Sequence, residues 1–213
     1  AVGCNTNLGI ILLAAPLLAA FLEPKGSQTL EQRISRTLED LDPTDASWLF
    51  RAIVLAKPGG LGEPEQGDVN MAPELTILEA MALAEERDLI ARQYTRSFKD
   101  VFQTAVPLYH SRLSVGDSEE WATATVFLGL LSQLRDSHVE RKFGRACADQ
   151  ISFEAHRVYT LLTEPVEPEK VLGPLLDLDT SFKNRGVNPG TMADLTVATL
   201  LAARLDEMLS NEI

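Results

Sequence analysis

A polar cluster interrupts one of the most apolar stretches of the sequence at residues 136–144. It contains Asp136, His138, Arg141 and Lys142. If this segment is helical, His138, Arg141 and Lys142 share one face, because residues three and four apart are neighbours on a helix. A carboxylate can hold Mg²⁺, and basic side chains can bind phosphate oxygens. The cluster therefore predicts a site for a Mg²⁺-polyphosphate, with a solvated basic surface as the open alternative.

A second cluster is a basic, glycine-containing turn at residues 183–191. Arg185 and Asn188 lie within it, and an apolar helical pattern follows Thr191. Such a turn leading into a helix is a generic anion site, since unpaired N–H groups and the helix dipole favour negative charge. Asp194 falls in the first turn of that helix, where the dipole alone would explain an acid. Asp194 is either such a helix-stabilising acid or a ligand group.

A third cluster, Asn5, Thr6 and Asn7, directly precedes the apolar run that begins at Leu8. A plain helix N-cap needs only one of these three side chains. The surplus of amide groups also suits a phosphate or metal held at a helix start. Both interpretations stay open.

A fourth, weaker group places Asp88 four residues before Arg92. This spacing favours an ion pair on a solvated helix face, with a site residue as the alternative. No zinc-ligand spacing, P-loop, dinucleotide fingerprint or Gly-x-Ser-x-Gly motif occurs in the 213 residues.

The charge balance narrows the class of partner. There are 31 acidic and 19 basic residues among 213, for a formal net charge of −12. A surface this acidic repels phosphate backbones, which argues against nucleic acid as a partner. Two cysteines are too few for a disulfide framework and fit a reducing cytoplasm. The apolar run from Ile10 to Leu22 is shorter than the roughly 18 to 20 residues that span a bilayer, so we predict a core helix and no membrane segment.

Helical periodicity and caps recur along the chain, while strand patterns are almost absent. We predict one all-α domain over residues 1–213, with a central apolar helix at Trp121–Leu134. An irregular stretch is expected at residues 58–73. A helix capped by Thr44 or Asp45 should turn Trp48, Ala52 and Ala56 inward. Further helices are expected over residues 30–41, 76–98 and 139–162, after Glu167, and after Asn188.

Taken together, these motifs resemble the triphosphoribosyl-dephospho-CoA synthase family. The resemblance rests on Asn5-Thr-Asn-Leu-Gly9, on the 136–144 cluster, and on the segment Asn188-Pro-Gly-Thr-Met-Ala-Asp-Leu195, which is the most specific part. It extends over nearly the whole chain, including residues 78–94. In the family an additional N-terminal part with a Lys-Pro-Gly segment precedes the first motif, so we expect this chain, which begins with Ala1, to lack part of the family domain.

The resemblance implies an enzyme that transfers the triphosphoribosyl group of ATP to the 2′-hydroxyl of 3′-dephospho-CoA and releases adenine. Mg²⁺ is the expected cofactor. An oxocarbenium-like centre needs nearby carboxylates, the hydroxyl needs a base, and the triphosphate needs cations. Catalytic roles are expected for Asp88, Asp136 and Asp194, with Asp136 and Asp194 also around the metal. Substrate contacts are expected from Asn5, Thr6, Asn7, His138, Arg141, Lys142, Arg185, Asn188, Gly190 and Thr191.

Two alternatives follow from departures of this chain from the family pattern. In the citrate-lyase branch the first motif usually reads Asn-Thr-His-Lys-Gly, whereas this chain has Asn7 and Leu8. The Asn-Leu version resembles a sister branch of archaea and one-carbon-metabolising bacteria. One alternative is therefore a related enzyme that uses another acceptor in one-carbon cofactor biosynthesis. The other is a helical module that binds a nucleotide without catalysis.

Overall fold

The computed structural model describes residues 7–24, 28–56 and 75–211. Their regular structure is helical, with no strand in these ranges, which confirms the all-α prediction. The predicted irregular stretch at 58–73 lies outside the described residues. The α-helices are α1 (Leu8–Leu22), α2 (Leu30–Glu39), α3 (Pro43–Ala56), α4 (Ile77–Ala82), α5 (Leu89–Thr95), α6 (Val106–Ser114), α7 (Glu119–Gln133), α8 (Ser137–Phe143), α9 (Arg145–Tyr159), α10 (Pro168–Asn184) and α11 (Gly190–Asn211), with a π-helical segment at Val101–Ala105.

The chain divides into two compact units, and α11 contributes to both. The first unit consists of residues 1–99 and 204–213, and the second of residues 100–203. In the first unit α1 packs against α2, with the side chains of Leu13 and Leu17 fully buried. The Tyr94 hydroxyl on α5 donates a 2.6 Å hydrogen bond to the Leu12 carbonyl. The apolar run at α1 is thus a core helix, as predicted, and no described helix is long and apolar enough to cross a membrane.

Helix α7 is the central helix of the second unit. Its residues Val126, Leu128 and Leu131 are almost fully buried, and it packs against both α6 and α9. A Cβ at Gly129 would come within 2.9 Å of Leu108 on α6 and 3.2 Å of Tyr159 on α9. Glycine therefore permits the close approach of three helices, and the predicted central position of this helix is confirmed.

A buried ion pair holds the turn at which α7 begins. Arg112 Nε lies 2.6 Å from Asp117 Oδ2, and both side chains are almost fully buried. Arg112 also donates to the Thr163 carbonyl at 2.6 Å, and Asp117 accepts from the Val166 backbone N–H at 2.7 Å. These bonds join α6, the start of α7 and the segment before α10, so the first turn of α7 has a defined position.

Two predicted helices are each interrupted. The pattern over 76–98 forms α4 and α5, separated by a turn, and Asp88 begins α5 as its N-cap. The pattern over 139–162 forms α8 and α9, because Gly144 adopts φ 85° between them. Apolar periodicity continues through both breaks, since the paired helices still bury their faces.

The prediction for α3 is wrong in two respects. Asp42, rather than Thr44 or Asp45, caps the helix, because its Oδ1 accepts from the Thr44 and Asp45 backbone N–H groups at 2.6 and 3.0 Å. Trp48 is 62% exposed and Ala52 is also exposed. The indole instead lies under the Arg51 guanidinium, 4.5 Å from the ring centroid. Ala46 is the buried residue of α3, so the apolar face was assigned to the wrong side.

Candidate active site

The starts of α8 and α11 are joined by the carboxylate of Asp136. Its Oδ1 accepts a 2.9 Å hydrogen bond from the Val139 backbone N–H and so caps α8. Its Oδ2 accepts a 2.8 Å hydrogen bond from the backbone N–H of Met192, in the first turn of α11. Met192 lies 56 residues further along the chain. One side chain therefore satisfies N–H groups at two helix starts, which otherwise lack intrahelical partners.

A pair of hydroxyls reinforces this contact. Ser137 Oγ and Thr191 Oγ1 lie 3.0 Å apart, and both residues are buried. A Cβ placed on Gly190 would lie 3.9 Å from Cγ of His138 and 3.8 Å from Nδ2 of Asn188. The two motif segments predicted as separate clusters therefore meet at one place. We call this place the helix junction; its residues are Asp136, Ser137, His138, Asn188, Gly190 and Thr191.

Two opposing effects act on the pKa of the Asp136 carboxyl. Burial raises the pKa of the Asp136 carboxyl above its ordinary value. Hydrogen bonds from the Val139 and Met192 backbone N–H groups and the proximity of His138 lower the pKa, but by less. The residue is 1% exposed, and each of its oxygens already accepts a backbone N–H. This environment suits a residue that positions helices rather than a ligand open to substrate.

The side chains near the helix junction that remain accessible to solvent are of four chemical types. His138 and Arg141 are half-buried, and Lys142 is exposed, with its Nζ 5.0 Å from the ring centroid of Phe143. Asp194 is half-buried on α11 and Asn188 is exposed. The set combines cations for phosphate, an amide and an imidazole for hydrogen bonding, and a carboxylate for a developing positive charge or a proton.

An open groove of about 650 Å³ in the second unit runs between α7 and α11. Glu119 and Glu120 lie at its edge, in the first turn of α7. Its walls are formed by Thr123, Ala124, Phe127, Ala193, Thr196 and Val197. Sequence analysis missed these residues, because acids in a first turn are explained by the helix dipole and the others by a core face.

The sequence matches, over residues 1–213, the family described as CitG, ATP:dephospho-CoA triphosphoribosyl transferase. The chain belongs to this family. The predicted resemblance is therefore confirmed, and the protein is a transferase rather than a non-catalytic module. The fold agrees: a crystal structure from Archaeoglobus fulgidus, provisionally described as a triphosphoribosyl-dephospho-CoA synthase, matches with a TM-score of 0.73 and 25% identity. That match covers 93% of this chain and 82% of the other. A comparison with curated proteins finds no match.

Two of the predicted site regions belong to the first unit, whereas the residues of the helix junction belong to the second. Asp88 belongs to the first unit, where its Oδ1 accepts from the Ile90 and Ala91 backbone N–H groups at 2.8 and 3.3 Å. Asn7 stands at the N-cap of α1 without a capping hydrogen bond from its side chain. Asn5 and Thr6 lie outside the described residues. The catalytic role of Asp88 and the substrate contacts of Asn5, Thr6 and Asn7 stay predictions.

Arg185 forms an ion pair with the carboxylate of Glu154 in the same chain. Its guanidinium bonds both oxygens of Glu154, at 3.2 and 2.5 Å, and its Nε donates to the Ser181 carbonyl at 3.2 Å. The Arg185 guanidinium also lies 5.4 Å from the ring centroid of Phe182. Partial burial raises the pKa of Glu154, but hydrogen bonds from Arg185 and Gln150 outweigh this effect, and the pKa lies below its ordinary value. The pair ties the end of α10 to α9.

We therefore expect Arg185→Gln to lower stability more than substrate affinity. Loss of the bidentate pair should cost about 1 kcal/mol, a few degrees in Tm, with less than a twofold change in KM for ATP. Because the folded-state pKa of Glu154 is lowered, the pair stabilises the fold above pH 4.5, and this contribution is lost as the pH falls through the folded-state pKa. Melting curves of Arg185→Gln at several pH values measure this loss of stability. Lys183→Gln, which removes an exposed ion pair with Asp179, is the control. A tenfold rise in KM would instead indicate a phosphate contact.

Among the described residues, no group of three or more His, Cys, Asp and Glu side chains is placed to hold a metal ion. Mg²⁺ bound to a nucleotide needs only one or two protein carboxylates, because phosphates and water supply the other ligands. Asp194, which is half-buried, fits that requirement. Asp136 is 1% exposed and both of its oxygens accept buried backbone hydrogen bonds, so its role as a metal ligand stays a prediction.

Proposed function

We propose that this transferase moves the triphosphoribosyl group of ATP to the 2′-hydroxyl of 3′-dephospho-CoA and releases adenine. The family match over the whole chain supports the substrate pair. The observation that carries the proposal is the helix junction, where the 136–144 and 188–195 segments meet. His138 and Asn188 lie at the two helix starts, Arg141 and Lys142 follow in the last turn of α8, and Asp194 follows on α11.

The reaction places distinct demands on these groups. The bond between C1′ of the ribose and the adenine nitrogen breaks, and a bond forms between C1′ and the acceptor oxygen. The acceptor hydroxyl loses its proton, and adenine leaves as the neutral base after gaining one. Positive charge develops at C1′ during bond cleavage, as in glycoside hydrolysis.

The accessible side chains meet these demands as follows. Asp194 stabilises the charge at C1′ or accepts the hydroxyl proton, the two roles a carboxylate can take there. Arg141 and Lys142 hold the triphosphate, which gives an otherwise acidic protein a local cationic site. His138 and Asn188 hydrogen-bond the substrates. Asp136 positions the helices that carry these groups.

Mg²⁺ enters this proposal as part of the ATP substrate. It would neutralise triphosphate charge when bound, and Asp194 is the protein carboxylate that would hold it. We also propose that the reaction takes place in the cytoplasm, where ATP is present.

The acceptor has one specific alternative. Asn7 and Leu8 replace the His and Lys of the citrate-lyase branch at the start of α1. A different acceptor in one-carbon cofactor biosynthesis would be consistent with this replacement.

Chromatographic detection of free adenine tests the reaction and its acceptor together. We expect adenine from ATP and Mg²⁺ only when dephospho-CoA is added, in equal amount to the transferred group. Adenine that requires a different acceptor would support the alternative. Release of phosphate or pyrophosphate without adenine would contradict the proposed chemistry.

A further inference from the structure

We infer that the groove between α7 and α11 binds the adenosine portion of a nucleotide substrate of this transferase, an inference that rests on the proposed function. Both ATP and dephospho-CoA carry adenosine, so the same groove chemistry serves either molecule. The inference comes from the shape, the chemistry and the position of the groove.

The shape suits a flat ring with an attached sugar. At about 650 Å³ the groove lies within the usual range for small-molecule sites. Ala124 on α7 and Ala193 on α11 line opposite walls, so two small side chains leave space between the helices. Phe127 and Val197 supply apolar surface against which a purine can pack.

The chemistry of the edge distinguishes adenosine from phosphate. Glu119 and Glu120 are exposed at the start of α7 and border the groove. The hydroxyl of Ser118 and backbone hydrogen bonding lower the pKa of Glu120, which keeps it a carboxylate. Carboxylates accept hydrogen bonds from the amino group of adenine and from ribose hydroxyls, but they repel phosphates. The phosphate end of a bound nucleotide must therefore point away from this edge.

The groove lies next to the helix junction, because both include residues near the start of α11. Thr196 follows Gly190 by six residues, which corresponds to about 9 Å along α11 at 1.5 Å per residue. Asp194 precedes Val197 by three residues, so the two side chains are neighbours on the helix surface. A base in the groove would thus bring its ribose toward Asp194, with the phosphates directed away from Glu119 and Glu120.

The wall of the groove that is formed by α7 has a defined position, because the Arg112–Asp117 pair holds the turn before α7. The edge formed by Glu119 and Glu120 therefore has a defined position relative to α6 and the segment before α10, and such preorganisation favours a specific contact with a base.

Filling the groove tests this inference. Ala193→Trp places a large ring in the groove from an exposed position, and Val197→Trp does so from a second exposed position if the first variant fails to fold. Ala52→Trp, on an exposed face of α3 in the first unit, is the matched control. Calorimetric titration with ATP, dephospho-CoA and inorganic tripolyphosphate is paired with the adenine-release assay for each protein.

We expect either groove variant to bind ATP, dephospho-CoA or both at least tenfold more weakly, with tripolyphosphate affinity unchanged and Ala52→Trp equal to wild type. The nucleotide that weakens is the one whose adenosine occupies the groove. Unchanged affinity for both nucleotides in a folded groove variant overturns the inference, even if adenine release by wild type upholds the proposed function. Weakened nucleotide binding without adenine release by wild type overturns the proposed function and leaves the groove assignment standing. Wild type that binds neither nucleotide overturns both.

Discussion

Asp136→Ala is expected to destabilise the fold by about 3 to 5 kcal/mol, or roughly 10 °C in Tm for a chain of this size. The carboxylate caps α8 through Val139 and also accepts the Met192 N–H of α11. Removing it leaves two buried N–H groups without an acceptor, at about 1 to 3 kcal/mol each, in addition to the lost cap. Chemical denaturation monitored by circular dichroism measures the difference.

Asp42→Ala provides the matched control. Asp42 also accepts two backbone N–H groups, but it is exposed and both donors lie within three residues. Its loss should cost much less stability than Asp136→Ala, because water replaces the missing acceptor. Equal costs for the two variants would show that the bond to Met192 adds nothing, and the helix junction would then lose its structural role.

Asp194→Asn is expected to lower kcat by about a thousandfold while shifting Tm by less than about 3 °C. Loss of the charge would remove stabilisation at C1′ or the proton acceptor, and either role is worth roughly 100-fold to 10,000-fold. The first-turn position predicted for Asp194 is wrong, because α11 begins at Gly190 and its first turn contains no acid, so the helix dipole contributes less than about 1 kcal/mol through Asp194. Steady-state rates of adenine release and melting curves on the same preparations check both parts.

Asp179→Asn controls for the general loss of one negative charge. Asp179 is exposed on α10 and pairs with Lys183 at 2.6 Å, as a surface ion pair of small energetic value. This variant should keep wild-type rates. If Asp194→Asn retained more than a tenth of wild-type kcat, Asp194 would have no catalytic role, and the charge at C1′ would need another carboxylate.

Several elements could be predicted because their determinants are local. The capping box of Thr29 and Gln32 lies at the start of α2, with both reciprocal hydrogen bonds formed. Glu167 and Pro168 likewise begin α10. In each case the interacting groups are within three residues of one another, so the sequence pattern contains the whole interaction.

The failed prediction for the face of α3, and the ion-pair partner of Arg185, both concern choices that local pattern leaves open, while the substrate contact of Arg185 stays a prediction. The face of α3 that carries Trp48 is apolar in sequence, yet it is exposed, because a helix can bury only the side its neighbours cover. Arg185 lies in a turn typical of anion sites, yet its guanidinium bonds Glu154, 31 residues earlier. The charge of Arg185 was evident from sequence, while its partner was not.

The sequence alone determined the all-α class, the central apolar helix, the family and the residue types of the site. These follow from periodicity, caps and motifs, which depend on residues close together along the chain. Only the tertiary structure decided that Asp136 bonds Met192, that Ser137 meets Thr191, and that α7 and α11 leave a groove between them. These contacts join segments more than 50 residues apart, and their partners are selected by the packing of whole helices, which no local pattern records.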